Sequence, residues 1–190
     1  LLWVVEQVCD GVSHAHENGV IHRDLKPENV LFYTDSSGNR YAAVADFGLG
    51  RQLDRDSTTI TQTHQQLGTI AYGAPEQFTS PKDADQRADV YAIGKVLYEA
   101  LTGDLPFPVL DYDKVPRRYD YVVRRACDNQ PGRRYQTVGE LLDDLRLVSQ
   151  GDSLFTRPAE QFRHLLVDVL ENSGEAEGAL AEAAARFAEA

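Results

Sequence analysis

His22-Arg23-Asp24-Leu25-Lys26-Pro27-Glu28-Asn29 is the stretch from which the rest of the chain can be read. It puts a carboxylate (Asp24), an ammonium (Lys26) and a carboxamide (Asn29) in one short loop, able to present all three to a single small volume. A second carboxylate follows in Asp46-Phe47-Gly48, where the glycine permits a sharp chain reversal just after a strand. Asn29 and Asp46 are oxygen donors from separate loops, with Lys26 nearby as a cation for phosphate oxygens. That set suits Mg²⁺, which prefers oxygen ligands and keeps waters and substrate phosphates in its shell. Asp24 is then left to orient a hydroxyl and accept its proton.

On the N-terminal side, Val5, Val8, Val12 and Ala15 recur at helical spacing, and Asn18-Gly19 is a helix stop, so a helix is expected over Leu2 to His16. Val20-Ile21 and Val30-Leu31-Phe32-Tyr33 are short β-prone runs flanking the loop. Asp35 to Asn39 is turn chemistry leading into a return strand, Tyr41 to Val44. Leu53 to Gln66 has no apolar period and reads as a long exposed loop. Val90 to Leu101 is apolar on most sides, the pattern of a buried helix, and Gly103 ends it. A helix is expected over Tyr119 to Cys127. Thr137-Val138-Gly139-Glu140 matches a capping box ahead of a further one. The fold class expected is mainly α with a small β-hairpin.

With 42% hydrophobic and 26% charged residues, the 190-residue chain lies outside the disordered and fibrous classes. Its net charge of −11 argues against a broad nucleic-acid footprint or an anionic membrane surface. Cys9 and Cys127 are far apart and in no CxxC pair, which disfavours a disulfide scaffold or structural zinc and favours a reducing, cytoplasmic setting. No stretch reaches the length of a membrane-spanning helix. Residues 152–190 carry eight acidic against three basic side chains, so a boundary is expected near 150, followed by an acidic helical C-terminal extension over 151–190. The chain lacks methionine and opens on the apolar face Leu1-Leu2-Trp3-Val4-Val5, as a fragment would.

The motif His22–Asn29, then Asp46-Phe47-Gly48, Tyr72-Gly73-Ala74-Pro75-Glu76 and Asp89-Val90-Tyr91-Ala92-Ile93-Gly94, resembles the protein kinase family, in that family's order. The resemblance covers residues 1–150 and matches the large helical lobe only; the small lobe, with its Gly-rich loop and strand lysine, would precede Leu1. It implies a Ser/Thr protein kinase, with Lys26 and Gly68-Thr69 marking the Ser/Thr subclass, and Ala74-Pro75-Glu76-Gln77 with Arg134-Tyr135 looking bacterial. By the same resemblance Asp24 is the catalytic base and Lys26 contacts the transferred phosphate. Asn29 and Asp46 hold Mg²⁺, and Leu31 floors the adenine pocket of ATP. Thr58, Thr59, Thr61, Thr63 and Thr69 fall in the activation loop, with Arg23 placed to pair with an added phosphate. Glu76 is expected to pair with Arg134, and Asp89 to cap amides of the Asp24 loop. His22 and Phe47 are read as packing, and His14, His16 and His64 as surface or packing residues. The implied partners are ATP and a protein substrate with a Ser or Thr hydroxyl. The alternative is a pseudokinase-like scaffold or regulatory binding module built on the same lobe without turnover.

Overall fold

A computed structural model of the chain describes residues 2–47 and 70–150. The chain divides into a unit over Leu1–Asp152 and another over Ser153–Ala190, the second lying outside the described residues. The 53–66 loop, the five activation-loop threonines, Gly48 and the acidic tail also lie outside them.

Helix α1 (Leu2–Glu17) buries Val5, Val8, Cys9 and Val12 on one face. Two backbone bonds close it, Gly19 N–H to the His16 carbonyl at 2.9 Å and Val20 N–H to the Ala15 carbonyl at 2.9 Å. Gly19 takes φ +73°, the left-handed value this stop requires. Those bonds bear on the expected strand at Val20-Ile21, which does not form. The Val20 N–H is committed to the helix end and the His22 N–H to the Asp89 carboxylate, so neither is left for a ladder.

Strands β1 (Val30–Thr34) and β2 (Arg40–Val44) make the antiparallel hairpin, in register from Val30 opposite Val44 to Thr34 opposite Arg40. Asp35 organises its turn, accepting from the Ser37 and Asn39 amides at 2.8 and 2.9 Å. The short helix α2 (Pro75–Thr79) starts at the Ala-Pro-Glu motif. Helix α3 (Arg87–Thr102) is buried on nearly every side from Ala88 to Lys95. Its Gly94 is where the end of α4 (Arg117–Ala126) sits. A β-carbon there would lie 2.7 Å from the Ala126 Cβ and 2.8 Å from the Cys127 Sγ, so only glycine admits the approach. Between α3 and α4 the described chain forms one 3-10 turn, Tyr112–Lys114.

Helix α5 (Val138–Ser149) packs Leu141, Leu142, Leu145 and Val148 into the core shared with α1 and α4. Half of its capping box forms as expected, Thr137 Oγ1 accepting from the Glu140 amide at 3.1 Å. The return bond is shifted by one residue, since Glu140 Oε2 accepts from Gln136 N–H at 2.9 Å. The described residues are thus mainly helical with one hairpin, the fold class that the sequence pattern predicts.

Candidate active site

The Asp24 loop hangs between the end of α1 and the start of β1, and a buried carboxylate from another element shapes it. Asp89, in the first turn of α3 and fully buried, accepts three hydrogen bonds. They come from the His22 amide at 2.8 Å, the Arg23 amide at 2.7 Å and His16 Nε2 at 2.8 Å. A buried carboxylate needs such donors, and here two of them are the backbone of the loop. His16 is therefore more than surface dressing: its ring is 7% exposed and completes the Asp89 shell. No local pattern in the sequence marks His16 for this role, although a buried aspartate that accepts from two loop amides still has acceptor capacity for a third donor.

His22 is held from both sides. Its Nδ1 accepts from the Asp24 N–H at 3.2 Å, which leaves Nε2 as the protonated nitrogen, donating to the Ala45 carbonyl at 2.8 Å. Its ring also meets Phe47, centroids 4.7 Å apart. One imidazole thus joins the Asp24 loop to the backbone just before Asp46.

Within the loop, Lys26 Nζ donates to Asp24 Oδ2 at 2.8 Å. Asn29 Nδ2 donates to the Asp24 carbonyl at 2.7 Å and lies 3.5 Å from Asp24 Oδ2. The carboxylate, ammonium and carboxamide therefore meet at one place. Asn29 is buried, with its amide nitrogen turned to Asp24, so its Oδ1 is the atom left to coordinate a cation. The Ala45 amide bonds the Asn29 carbonyl at 2.9 Å, continuing the hairpin ladder and setting Asp46 at the same end as Asn29. The Asp46 carboxylate is exposed and takes part in no hydrogen bond or ion pair among the described residues. An amide oxygen and an uncommitted carboxylate form a hard-oxygen donor set that fits Mg²⁺. Arg23 and Asp46 have φ of +69° and +60°, the two positive values among described non-glycine residues, and such strain tends to gather at functional sites.

Leu31 is 56% exposed on β1, beside the exposed rings of Phe32 and Tyr33. The Arg23 guanidinium contacts the Ala84 carbonyl at 3.4 Å. Glu76 and Arg134 form a bidentate pair, Nη1 to Oε1 at 2.6 Å and Nη2 to Oε2 at 2.8 Å, with Arg134 fully buried. Tyr72 donates to the Glu99 carboxylate, and burial together with that carboxylate holds the phenol well above its ordinary range. Gln77, given no role by the sequence reading, donates to the Arg23 carbonyl at 2.7 Å.

Comparison with known proteins identifies the family. The protein kinase domain family matches residues 3–173. The serine/threonine-protein kinase PknB of Mycolicibacterium smegmatis is 37% identical over 169 residues, which are 79% of this chain and 26% of that protein. PrkC of Bacillus subtilis, also a serine/threonine-protein kinase, is 34% identical over 170 residues, 80% of this chain and 25% of that one. The chain thus spans about a quarter of the length of these curated relatives. Among solved structures, the PknI kinase domain of Mycobacterium tuberculosis is similar with a TM-score of 0.58 at 27% identity. That match covers 77% of this chain and 54% of the PknI domain. A family match over most of the chain, together with relatives of one bacterial type, makes this a member of the protein kinase family, of the bacterial Ser/Thr type.

Proposed function

We propose that the chain is the large helical lobe, residues 1–150, of a protein kinase that transfers the γ-phosphoryl group of ATP to Ser or Thr hydroxyls of a protein, with 151–190 as an acidic extension. The observation that carries this is the meeting of Asp24, Lys26 and Asn29 in a loop whose amides are pinned by buried Asp89.

In this reading Asp24 orients the acceptor hydroxyl and takes its proton as that oxygen bonds to the γ-phosphorus and the bond from the γ-phosphorus to the bridging oxygen breaks, releasing ADP. Lys26, now held on Asp24, steers a phosphate oxygen toward the same point and offsets its charge. Asn29 Oδ1 and the Asp46 carboxylate would hold Mg²⁺, which supplies charge neutralisation to the phosphates when bound. Leu31 offers an exposed apolar contact for the adenine ring. Catalysis of this kind depends on positioning and electrostatics, which suits a loop fixed at so many backbone atoms. Because Leu31, Phe32 and Tyr33 are open on β1, the 190 residues alone are not expected to exclude water from the phosphates.

The test is incubation of the full-length protein with γ-labelled ATP, Mg²⁺ and a generic basic protein, followed by phosphoamino-acid analysis. The reading expects Mg²⁺-dependent label on serine and threonine. Label confined to tyrosine, or none above a no-enzyme control, would contradict it.

A further inference from the structure

Gln77 lies in the first turn of α2, one residue past Ala74-Pro75-Glu76, and its carboxamide spans two segments of backbone. Nε2 donates to the Arg23 carbonyl at 2.7 Å while Oε1 accepts from the Ala74 N–H at 2.9 Å. A carboxamide both donates and accepts; a carboxylate of the same length only accepts, and a thioether does neither to any extent. Glutamine is therefore the side chain of this length that can make both bonds at once.

What it holds is the residue before the proposed base. Arg23 has φ +69°, a conformation that L side chains adopt only when the surroundings impose it. Asp89 Oδ1 fixes its N–H at 2.7 Å and Gln77 Nε2 fixes its carbonyl at 2.7 Å. That carbonyl shares a rigid plane with the Asp24 N–H, which donates to His22 Nδ1 at 3.2 Å. The plane leading into Asp24 is thus held at both edges, by His22 on one side and Gln77 on the other. Through Ala74 the same side chain couples that plane to the Tyr72–Ala74 segment.

We infer that Gln77 is a positioning residue for phosphoryl transfer: it sets the Arg23–Asp24 peptide plane, and hence the direction of the Asp24 carboxylate, and ties it to the segment before α2. This rests on the reading of Asp24 as the base.

The experiment compares full-length parent, Gln77→Met, Gln77→Glu and Asp24→Asn for kcat, for KM toward ATP, and for amide hydrogen exchange over residues 22–25. Gln77→Met removes both bonds at similar volume. Gln77→Glu keeps an acceptor for Ala74 but sets a carboxylate oxygen against the Arg23 carbonyl. Both are expected to lower kcat about 10- to 100-fold, the usual effect of displacing a catalytic group by a fraction of an ångström to an ångström. KM for ATP should stay within about twofold, because the bond lost acts in the transition state and not in nucleotide binding. Exchange at residues 22–25 should rise in both variants. A Gln77→Glu enzyme with parental kcat and parental exchange would show that only the Ala74 bond matters and overturn the inference. So would a parental kcat in Gln77→Met. A parent no faster than Asp24→Asn would overturn the reading of the base itself and this inference with it; a fast parent with equally fast Gln77 variants would overturn only the role of Gln77.

Discussion

Substituting Glu76 by alanine should unfold the protein at a far lower temperature than any comparable surface change. Arg134 is fully buried, and each of its nitrogens has an acceptor. Nε meets the Asp128 carbonyl at 2.7 Å, Nη1 meets Glu76 and the Arg87 carbonyl at 3.0 Å, and Nη2 meets Glu76 and the Asn129 carbonyl at 3.4 Å. Its plane also lies over the Tyr91 ring, 4.8 Å from the centroid. Glu76→Ala deletes two charge-assisted bonds, worth about 1.5–3 kcal/mol each, and strands the cation among neutral carbonyls. Breaking a buried pair from one side typically costs about 3–5 kcal/mol, which agrees with that sum. For a domain near 150 residues this is a fall in Tm of about 6–20 °C. Arg134→Ala should lose a similar amount, since it leaves Glu76, 14% exposed, without its partner and opens space beneath Tyr91. Arg133, half-buried on the neighbouring 3-10 turn, is the control, with an expected loss of about 1 kcal/mol or less. The assay is thermal and urea denaturation of the three variants beside the parent. Equal, small shifts for all three would refute the reasoning.

Asp46→Asn should leave the melting curve unchanged, because the carboxylate has no partner among the described residues, and should cut phosphoryl transfer by several decades, each decade being about 1.4 kcal/mol of barrier; a rate within about threefold of the parent would remove Asp46 from the metal site. Burial, with a smaller push from Cys127 and an opposing pull from Arg134, raises the Tyr91 hydroxyl to about 12. A group whose folded-state pKa lies above the ordinary value near 10 stabilises the fold fully below that value and loses the contribution as pH climbs toward 12. Urea melts at stepped alkaline pH should therefore show Tyr91→Phe losing less stability than the parent across that interval, and parallel curves would contradict it. Mass spectrometry of active full-length protein should find phosphate on one or more of Thr58, Thr59, Thr61 and Thr63, whose added charge the Arg23 guanidinium would receive; no phosphate, with activity unchanged when all four are alanine, would rule that out.

The helices were legible wherever a single apolar face decides the matter. The α1 stripe of Val5, Val8 and Val12, the all-round burial of α3 and the hairpin around Asp35 follow from spacing and turn chemistry. Misread places are those where a distant group claimed a backbone atom. Val20-Ile21 has strand propensity, but its flanking amides are taken by the α1 stop and by Asp89, 67 residues beyond His22. Helix α4 starts at Arg117 rather than Tyr119, directly after Pro116 at its N-cap. Asp24, Lys26 and Asn29 were readable as a group because the chain carries them within one loop. His16 and Gln77 were not, since for each the bond that reaches the Asp24 loop or its anchor goes to a partner far along the sequence, and no local pattern marks a residue for that.

The central claim is that Asp24 serves as the base of an ATP-dependent protein kinase, and the most direct measurement is the rate of labelled phosphoryl transfer by the full-length protein and by Asp24→Asn under identical Mg²⁺ and ATP. Asparagine keeps the size of the side chain and can still accept from Lys26, so the fold and the Lys26 contact should persist while proton acceptance is lost. The expected result is an active parent and a variant slower by about 10²–10⁴-fold, the range general-base catalysis supplies. Equal rates in the two proteins would contradict the account.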